Sequence, residues 1–493
     1  MSALNAKRTI RLKGWDIGDT YTYMMDSAGA EQCIICMESD PPPIQSGCAC
    51  RSDTGLAHIG CLVEKAVAQQ AHRGAKVWWE CQTCQQLFTG SMQTGLAEAW
   101  WSRVCDEAKE SVERLAAACN LAQARKSDGR YAEAESINRD VLRARTQVLG
   151  DEHPATLTSA SNLAMSLSAQ GKHADAELLN REVLGVRRRV LGEEHPDTLT
   201  SANNLASSLT YQGKHAQAER INREVLGVSR RVLGEEHPEV LTSASNLAMS
   251  LYSQKKHAEA ERINREVLGV RRRVLGEEHP DALNSASNLA LSLTGQGKHA
   301  EAERINREVL GVRRRVLGEE HPATLISANN LTSSLSHHGK HEEAERLGRE
   351  VLGAQRRVLG DQHPNTLRSM INLAGSLLCL GKEEEAEEMC KAALASRRLV
   401  LGSAHPDTLL TAEILESMRT ARSAAVSKRP AQQTKKGAKK KATAATAAER
   451  APLSPTALAE AEARAGAAEA ELLAMLQLEE DLKDKPYKYK SKR

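Results

Sequence analysis

The sequence predicts a mainly α chain in which a small metal-stapled module is followed by a long α-solenoid, and three observations point that way. His-Pro recurs at His153, His195, His237, His279, His321, His363 and His405, each 42 residues after the last. Seven of the eleven cysteines fall between Cys33 and Cys84 in short pairs. Aromatic residues make up only 3% of the chain, so its core has to be filled by alanine and leucine. A chain of 493 residues also exceeds what one hydrophobic core normally organises, and several units are expected.

The formal net charge of +3 gives no global electrostatic case for nucleic acid, which makes that partner an unlikely reading for the chain as a whole. Residues 1–30 read as a polar segment without the apolar stretch of a signal peptide, and no run approaches the roughly 18 apolar residues of a membrane span. The expectation is a soluble, cytoplasmic protein. Residues 31–90 hold the cysteine block, 91–110 a linking helix within "LAEAWWSRVCDEAKESVERL", 111–425 the repeats with a capping helix, 426–452 a basic linker and 453–493 a last helix with a basic tail.

The cysteine block runs Cys33, Cys36, Cys48, Cys50, His58, Cys61, Cys81 and Cys84. Eight soft ligands make two tetrahedral zinc sites, because zinc accepts closed shells of thiolates with an imidazole and brings no redox chemistry. In a reducing compartment such spacing reads as metal binding rather than as disulfides. So short a segment cannot build much core, and Zn2+ would supply most of its folding free energy, about 10–16 kcal/mol per site.

Four cysteines, one histidine and three cysteines, with a single residue inside the second pair and Trp79 two residues before Cys81, resemble the RING-CH domain of membrane-associated RING ubiquitin ligases. The resemblance implies a cross-brace: Cys33, Cys36, His58 and Cys61 on one ion, Cys48, Cys50, Cys81 and Cys84 on the other. It also implies an E3 ubiquitin transferase without covalent catalysis, which docks a ubiquitin-charged conjugating enzyme on Ile35, Leu62 and Trp79. Two positions depart from the pattern: Lys65 stands where many RING-CH domains have tryptophan, and Gln82 where many RINGs have proline. A PHD finger shares the ligand order, and a non-enzymatic zinc-finger adaptor or scaffold is the alternative function.

A 42-residue period means a solenoid of units that are stable only when stacked. In "HPDTLTSANNLASSLTYQGKHAQAERINREVLGVSRRVLGEE", Pro196 suits a first helical turn, Gly213 ends that helix, and a second runs to Gly234. The spacing of Leu157, Ala160, Ala164 and Leu167, then of Ala176, Leu179, Val183, Val186 and Val190, gives each helix one buried side. The pattern resembles the tetratricopeptide repeats of kinesin light chains and implies seven helix pairs, a capping helix and protein–protein interaction.

Asparagine recurs at Asn120, Asn162, Asn204, Asn246, Asn288, Asn330 and Asn372, angled away from the leucine side. In tetratricopeptide proteins the first helices line a groove, so these amides are candidates to pair with the backbone of a protein or peptide substrate. The opposing reading is an asparagine copied by duplication that bonds a neighbouring helix. The arginine clusters beginning at Arg187, Arg271 and Arg313 read as a solvated face, and the glycines at 185, 227, 269, 311 and 353 suggest close helix approach. Cys105, Cys119, Cys379 and Cys390 read as packing residues. Basic residues from Lys428 to Lys441 are a candidate nuclear import signal or a plain linker, and Leu472, Leu473, Leu476 and Leu478 offer an apolar strip.

Overall fold

The computed structural model describes residues 32–45 and 56–427. Cys48 and Cys50, the basic run and the leucine strip lie outside the described residues. Two short antiparallel strands, β1 (Ile44–Gln45) and β2 (Leu56–Ala57), precede α1 (Ile59–Arg73), a 3-10 turn over Ala75–Trp78, and α2 (Gly90–Val104). The expected single linking helix is split. α2 stops at Val104, and Ser111, whose hydroxyl accepts the Arg114 amide N–H, starts α3 (Val112–Ser127).

From there the chain is a solenoid. α3 pairs with α4 (Tyr131–Leu149), α5 (Pro154–Ala169) with α6 (His173–Leu191), and α7 (Pro196–Tyr211) with α8 (His215–Leu233). The same lengths repeat in α9 (Pro238–Ser253) with α10 (His257–Leu275), α11 (Pro280–Gly295) with α12 (His299–Leu317), and α13 (Pro322–His337) with α14 (His341–Leu359). α15 (Pro364–Cys379) and α16 (Glu383–Val400) form the seventh pair, and α17 (Pro406–Ser427) closes the array.

The His-Pro motif starts the first helix of each unit from the second onward. In every case histidine Nδ1 accepts the backbone N–H two residues on, as His195 does from Asp197 at 3.1 Å, while proline fills the first turn, where no amide hydrogen is needed. At the other end Gly213, at φ 73°, lets the Lys214 N–H fold back to the Leu209 carbonyl at 2.9 Å. In the fourth unit Lys255 takes that left-handed position at φ 61°.

Each unit contributes a layer of core such as Leu199, Ala202, Leu205, Ala206, Leu209, Ala218 and Val225. Leu157, Ala160, Ala164, Leu167, Ala176 and Val183 are buried as their spacing predicts, but Val190, in the last turn of α6, is 47% exposed. Units are also tied by a repeated polar node. Glu177 accepts from Arg181 one turn on, and from Gln212 and Lys214 of the next unit at 2.7 and 2.8 Å. Glu135, Glu219 and Glu261 do the same.

Candidate metal centre and inner face

Two knuckles frame the module. At the first, the Cys33 N–H donates to the Glu38 carbonyl (2.9 Å) and the Met37 N–H to the Cys33 carbonyl (2.8 Å), with Met37 at φ 63°. The turn swings the Cys33 and Cys36 side chains to one side, and β2 with the start of α1 delivers His58 and Cys61. The Sγ atoms of Cys33, Cys36 and Cys61 and a ring nitrogen of His58 all lie within 4.8 Å of one another. His58 Nδ1 is 3.3 Å from Cys36 Sγ and 3.6 Å from Cys61 Sγ. Tetrahedral zinc, with Zn–S about 2.3 Å and Zn–N about 2.0–2.1 Å, sets sulfur and nitrogen roughly 3.5 Å apart, so the cluster fits that ion.

The surroundings prepare the donors. His58 Nε2–H donates to the Pro41 carbonyl, which leaves Nδ1 with its lone pair free for a metal. Burial pushes the Cys33 thiol up, but the amides of Cys36, His58 and Ile35 outweigh it and bring it down to about 7. Cys61 is pushed up to about 12 by burial and by the neighbouring thiols of Cys36 and Cys33. Without a cation, these sulfurs cannot all be thiolates together.

The second knuckle has the same backbone. The Cys81 N–H donates to the Gln86 carbonyl (2.8 Å) and the Gln85 N–H to the Cys81 carbonyl (2.8 Å), with Gln85 at φ 57°. Cys81 is buried and Cys84 half-buried.

Of the residues expected to receive a conjugating enzyme, Ile35 is half-buried, Leu62 is 9% exposed and belongs to the module core, and Trp79 packs against Trp100 of α2 with ring centroids 5.8 Å apart. Trp78 is the more buried indole, stacked on Trp100 at 5.6 Å. A cleft beside Leu62 is lined by Ile34, Lys65, Ala66, Gln82 and Phe88, so both departures from the RING pattern sit at its rim.

Along the array, Asn204, Asn288 and Asn330 are buried, while Asn120, Asn162, Asn246 and Asn372 are half-buried. Asn120 Nδ2, Asn246 Nδ2 and Asn330 Oδ1 are buried without a hydrogen-bond partner, whereas Asn372 donates to Asn329 Oδ1 at 3.3 Å. Their backbones do structural work: the carbonyls of Asn162, Asn204, Asn246 and Asn288 accept from Asn138, Asn180, Asn222 and Asn264 of the preceding unit. Those second-helix asparagines also donate to Ser166, Ser208, Ser250 and Ser292 at 2.8–2.9 Å. This second asparagine column was legible as a 42-residue recurrence, but only the structure pairs it with the serines.

Other columns resolve differently from their sequence reading. Arg187, Arg271 and Arg313 are buried, not solvated. A Cβ added at Gly185, Gly227, Gly269 or Gly311 would meet nothing within 4 Å, so no close helix approach explains them. Cys390 is fully buried, with its thiol pushed up to about 11 by burial.

Among the described residues no helix is long and apolar enough to cross a membrane. The tetratricopeptide repeat family model matches residues 113–189, 181–231, 197–273, 239–314, 281–356 and 334–398, together more than half of the chain. No curated protein matches the sequence. Among solved structures, the nearly identical TPR-like repeats of a kinesin light chain assigned in Podosopora anserina share 28% identity, over 42% of this chain and 98% of that one, with a TM-score of 0.37. BtubC (BKLC) from P. vanneervenii shares 23%, over 45% and 90%, at 0.37. The apo quorum sensor NprR from B. thuringiensis shares 12%, over 62% and 82%, at 0.47.

Proposed function

Because the chain belongs to the tetratricopeptide repeat family, with an array suited to protein–protein interaction, we propose that it is an E3 ubiquitin ligase of RING-CH type whose array holds the protein substrate. The observation that carries this reading is the crossed cluster: Cys33 and Cys36 skip the next cysteine pair in the sequence and meet His58 and Cys61. The second knuckle, with the hydrogen bonds of the first, supports Cys81 and Cys84 joining Cys48 and Cys50 around a second zinc ion. When bound, the zinc ions would be structural, cross-linking the loops that shape a docking surface. The chemistry is positional, with ubiquitin passing from the conjugating enzyme's thioester to a lysine amine, the thiol leaving with the conjugating enzyme, and no residue of this chain carries ubiquitin as a catalytic intermediate. The recurrence of asparagine once per first helix, from Asn120 to Asn372, supports capture of an extended segment along the array.

The test is a reconstituted ubiquitination reaction with the zinc-loaded full chain and a panel of conjugating enzymes. Ubiquitin-modified chain that disappears in Cys33→Ser is expected; no modification with any enzyme sinks the proposal. Replacing Asn204, Asn246 and Asn288 together with alanine should reduce substrate capture at least several-fold without loss of helicity, and unchanged capture returns the column to a packing role. A second reading, a zinc-finger scaffold without ligase activity, is favoured by one observation. Leu62 and Trp79 are engaged inside the module, and the cleft rim carries Lys65 and Gln82. Binding of the chain to partner proteins with no ubiquitin transfer would select it.

A further inference from the structure

Three contacts join parts of the chain that are over two hundred residues apart. His363, at the corner that begins α15, donates its Nε2–H to the Ser127 carbonyl at the end of α3 (3.0 Å). One unit later, His405 Nε2 donates to the Ala169 carbonyl at the end of α5 (3.4 Å). One unit earlier, His321 Nε2 lies 3.4 Å from Oγ1 of Thr89, the residue before α2. The prolines seat with them. A Cβ on Gly129 would stand 2.3 Å from Pro364 Cδ, and one on Gly171 2.5 Å from Pro406 Cδ. Gly213 and Gly339 have the same backbone conformation in other units, and a Cβ there would meet nothing within 4 Å.

From α3 to α15, and from α5 to α17, is six units, so the superhelix completes a turn in six and its successive turns touch. The contact is read by one group in two ways. Nδ1 of each histidine accepts the helix-capping N–H, as His363 does from Asn365, which leaves the proton on Nε2 to reach the turn below. His363 and His405 are 9% and 8% exposed, whereas His195 is half-buried and His237 exposed. The motif is identical in all these units, so its second role comes from position along the superhelix. We infer that the array is a self-latched superhelix: the His-Pro corners that begin α13, α15 and α17 dock on the start of α2 and the ends of α3 and α5, fixing the pitch of the inner face. The latch also holds the zinc module against the sixth unit, since α2 carries the Trp100 that packs on Trp78 and Trp79.

The experiment compares two double variants of the full zinc-loaded chain, Gly129→Ala with Gly171→Ala and Gly213→Ala with Gly339→Ala. Both pairs place alanine at a positive φ, but only the first meets a proline from the next turn. The first pair alone should increase the radius of gyration in small-angle scattering and speed hydrogen exchange about tenfold over residues 361–368 and 403–410. Equal dimensions and equal protection in the two pairs overturn the latch. Should the first pair lose helicity, His363→Asn with His405→Asn serves instead. Asparagine keeps the cap but is too short to cross to the lower turn, and His195→Asn with His237→Asn is its control. Opening in the former alone supports the latch, and no difference overturns it.

Discussion

The arginine triplets show how one residue's place on a helix decides its worth. Arg271 is 2% exposed, and its guanidinium donates to the Asp281 carbonyl at 3.3 Å and to Ser285 Oγ at 3.0 Å of the next unit. Arg273, two residues on and therefore about 200° round the helix, is 62% exposed and pairs with Glu236. Arg271→Ala removes a buried guanidinium together with its bonds to the Asp281 carbonyl and the Ser285 hydroxyl and should cost about 1–3 kcal/mol in denaturant unfolding. Arg273→Ala should cost under about 0.5 kcal/mol, since an exposed pair is weak. Equal effects would show that the guanidinium of Arg271 is not a unit-to-unit strut. From sequence the three arginines read as one solvated cluster, because the buried acceptors of the first lie 10 and 14 residues away and no local pattern marks them.

Helices and knuckles were more legible than what lies between them. The 42-residue period, the His-Pro starts and the glycine stops are local signals, and the first helices from α5 to α15 begin at the His-Pro motif and, apart from α9, end just before a glycine. The same signals allow opposite substitutions in one element type. Gly227 and Gly311 stand mid-helix with open space around a Cβ, so alanine there should stabilise by about 0.5–1 kcal/mol each. Lys255 sits at φ 61° where the other units have glycine, so Lys255→Gly should also stabilise, by about 1 kcal/mol. Thermal unfolding checks both, and a loss of stability at Gly227→Ala would mean that its backbone is approached by something outside this chain. For the zinc module the expected outcome is loss: chelation should unfold residues 32–45 and 56–88, seen as unprotected amides there, while α5 to α16 keep their protection. The legible part of this element was the ligand spacing. The illegible part was Pro41 as the partner that orients His58, because a backbone carbonyl leaves no mark on a sequence.

At the scale of the whole molecule, closure of the superhelix was invisible in the sequence: six-unit contacts depend on a small rotation per repeat that no residue pattern states. What the assembled molecule adds is burial, and burial sets its response to acid. His173 is pushed down from 6.5 to about 4 by burial, with His405 beside it adding to the shift; burial also lowers His215, His257, His299, His363 and His405. Below pH 6.5 the unfolded chain therefore takes up protons that the folded one refuses, and stability falls as pH falls through that window. The glutamates act in the same direction at lower pH. Burial pushes Glu177 up, but Lys214, Arg181 and Gln212 outweigh it and hold it at about 2; Glu261 is held at about 2 chiefly by Lys298. Their contribution is complete above pH 4.5 and is lost between there and about 2. Thermal melts followed by far-ultraviolet circular dichroism should show the melting temperature declining in two stages as the pH is lowered, the first set by histidine and the second by the glutamate nodes. Replacing His215 and His257 with glutamine should flatten the first stage and leave the second in place. A melting temperature that stays constant from pH 6.5 down to 4.5 would mean that these imidazoles reach water in the folded array, contrary to the packing that holds its units together.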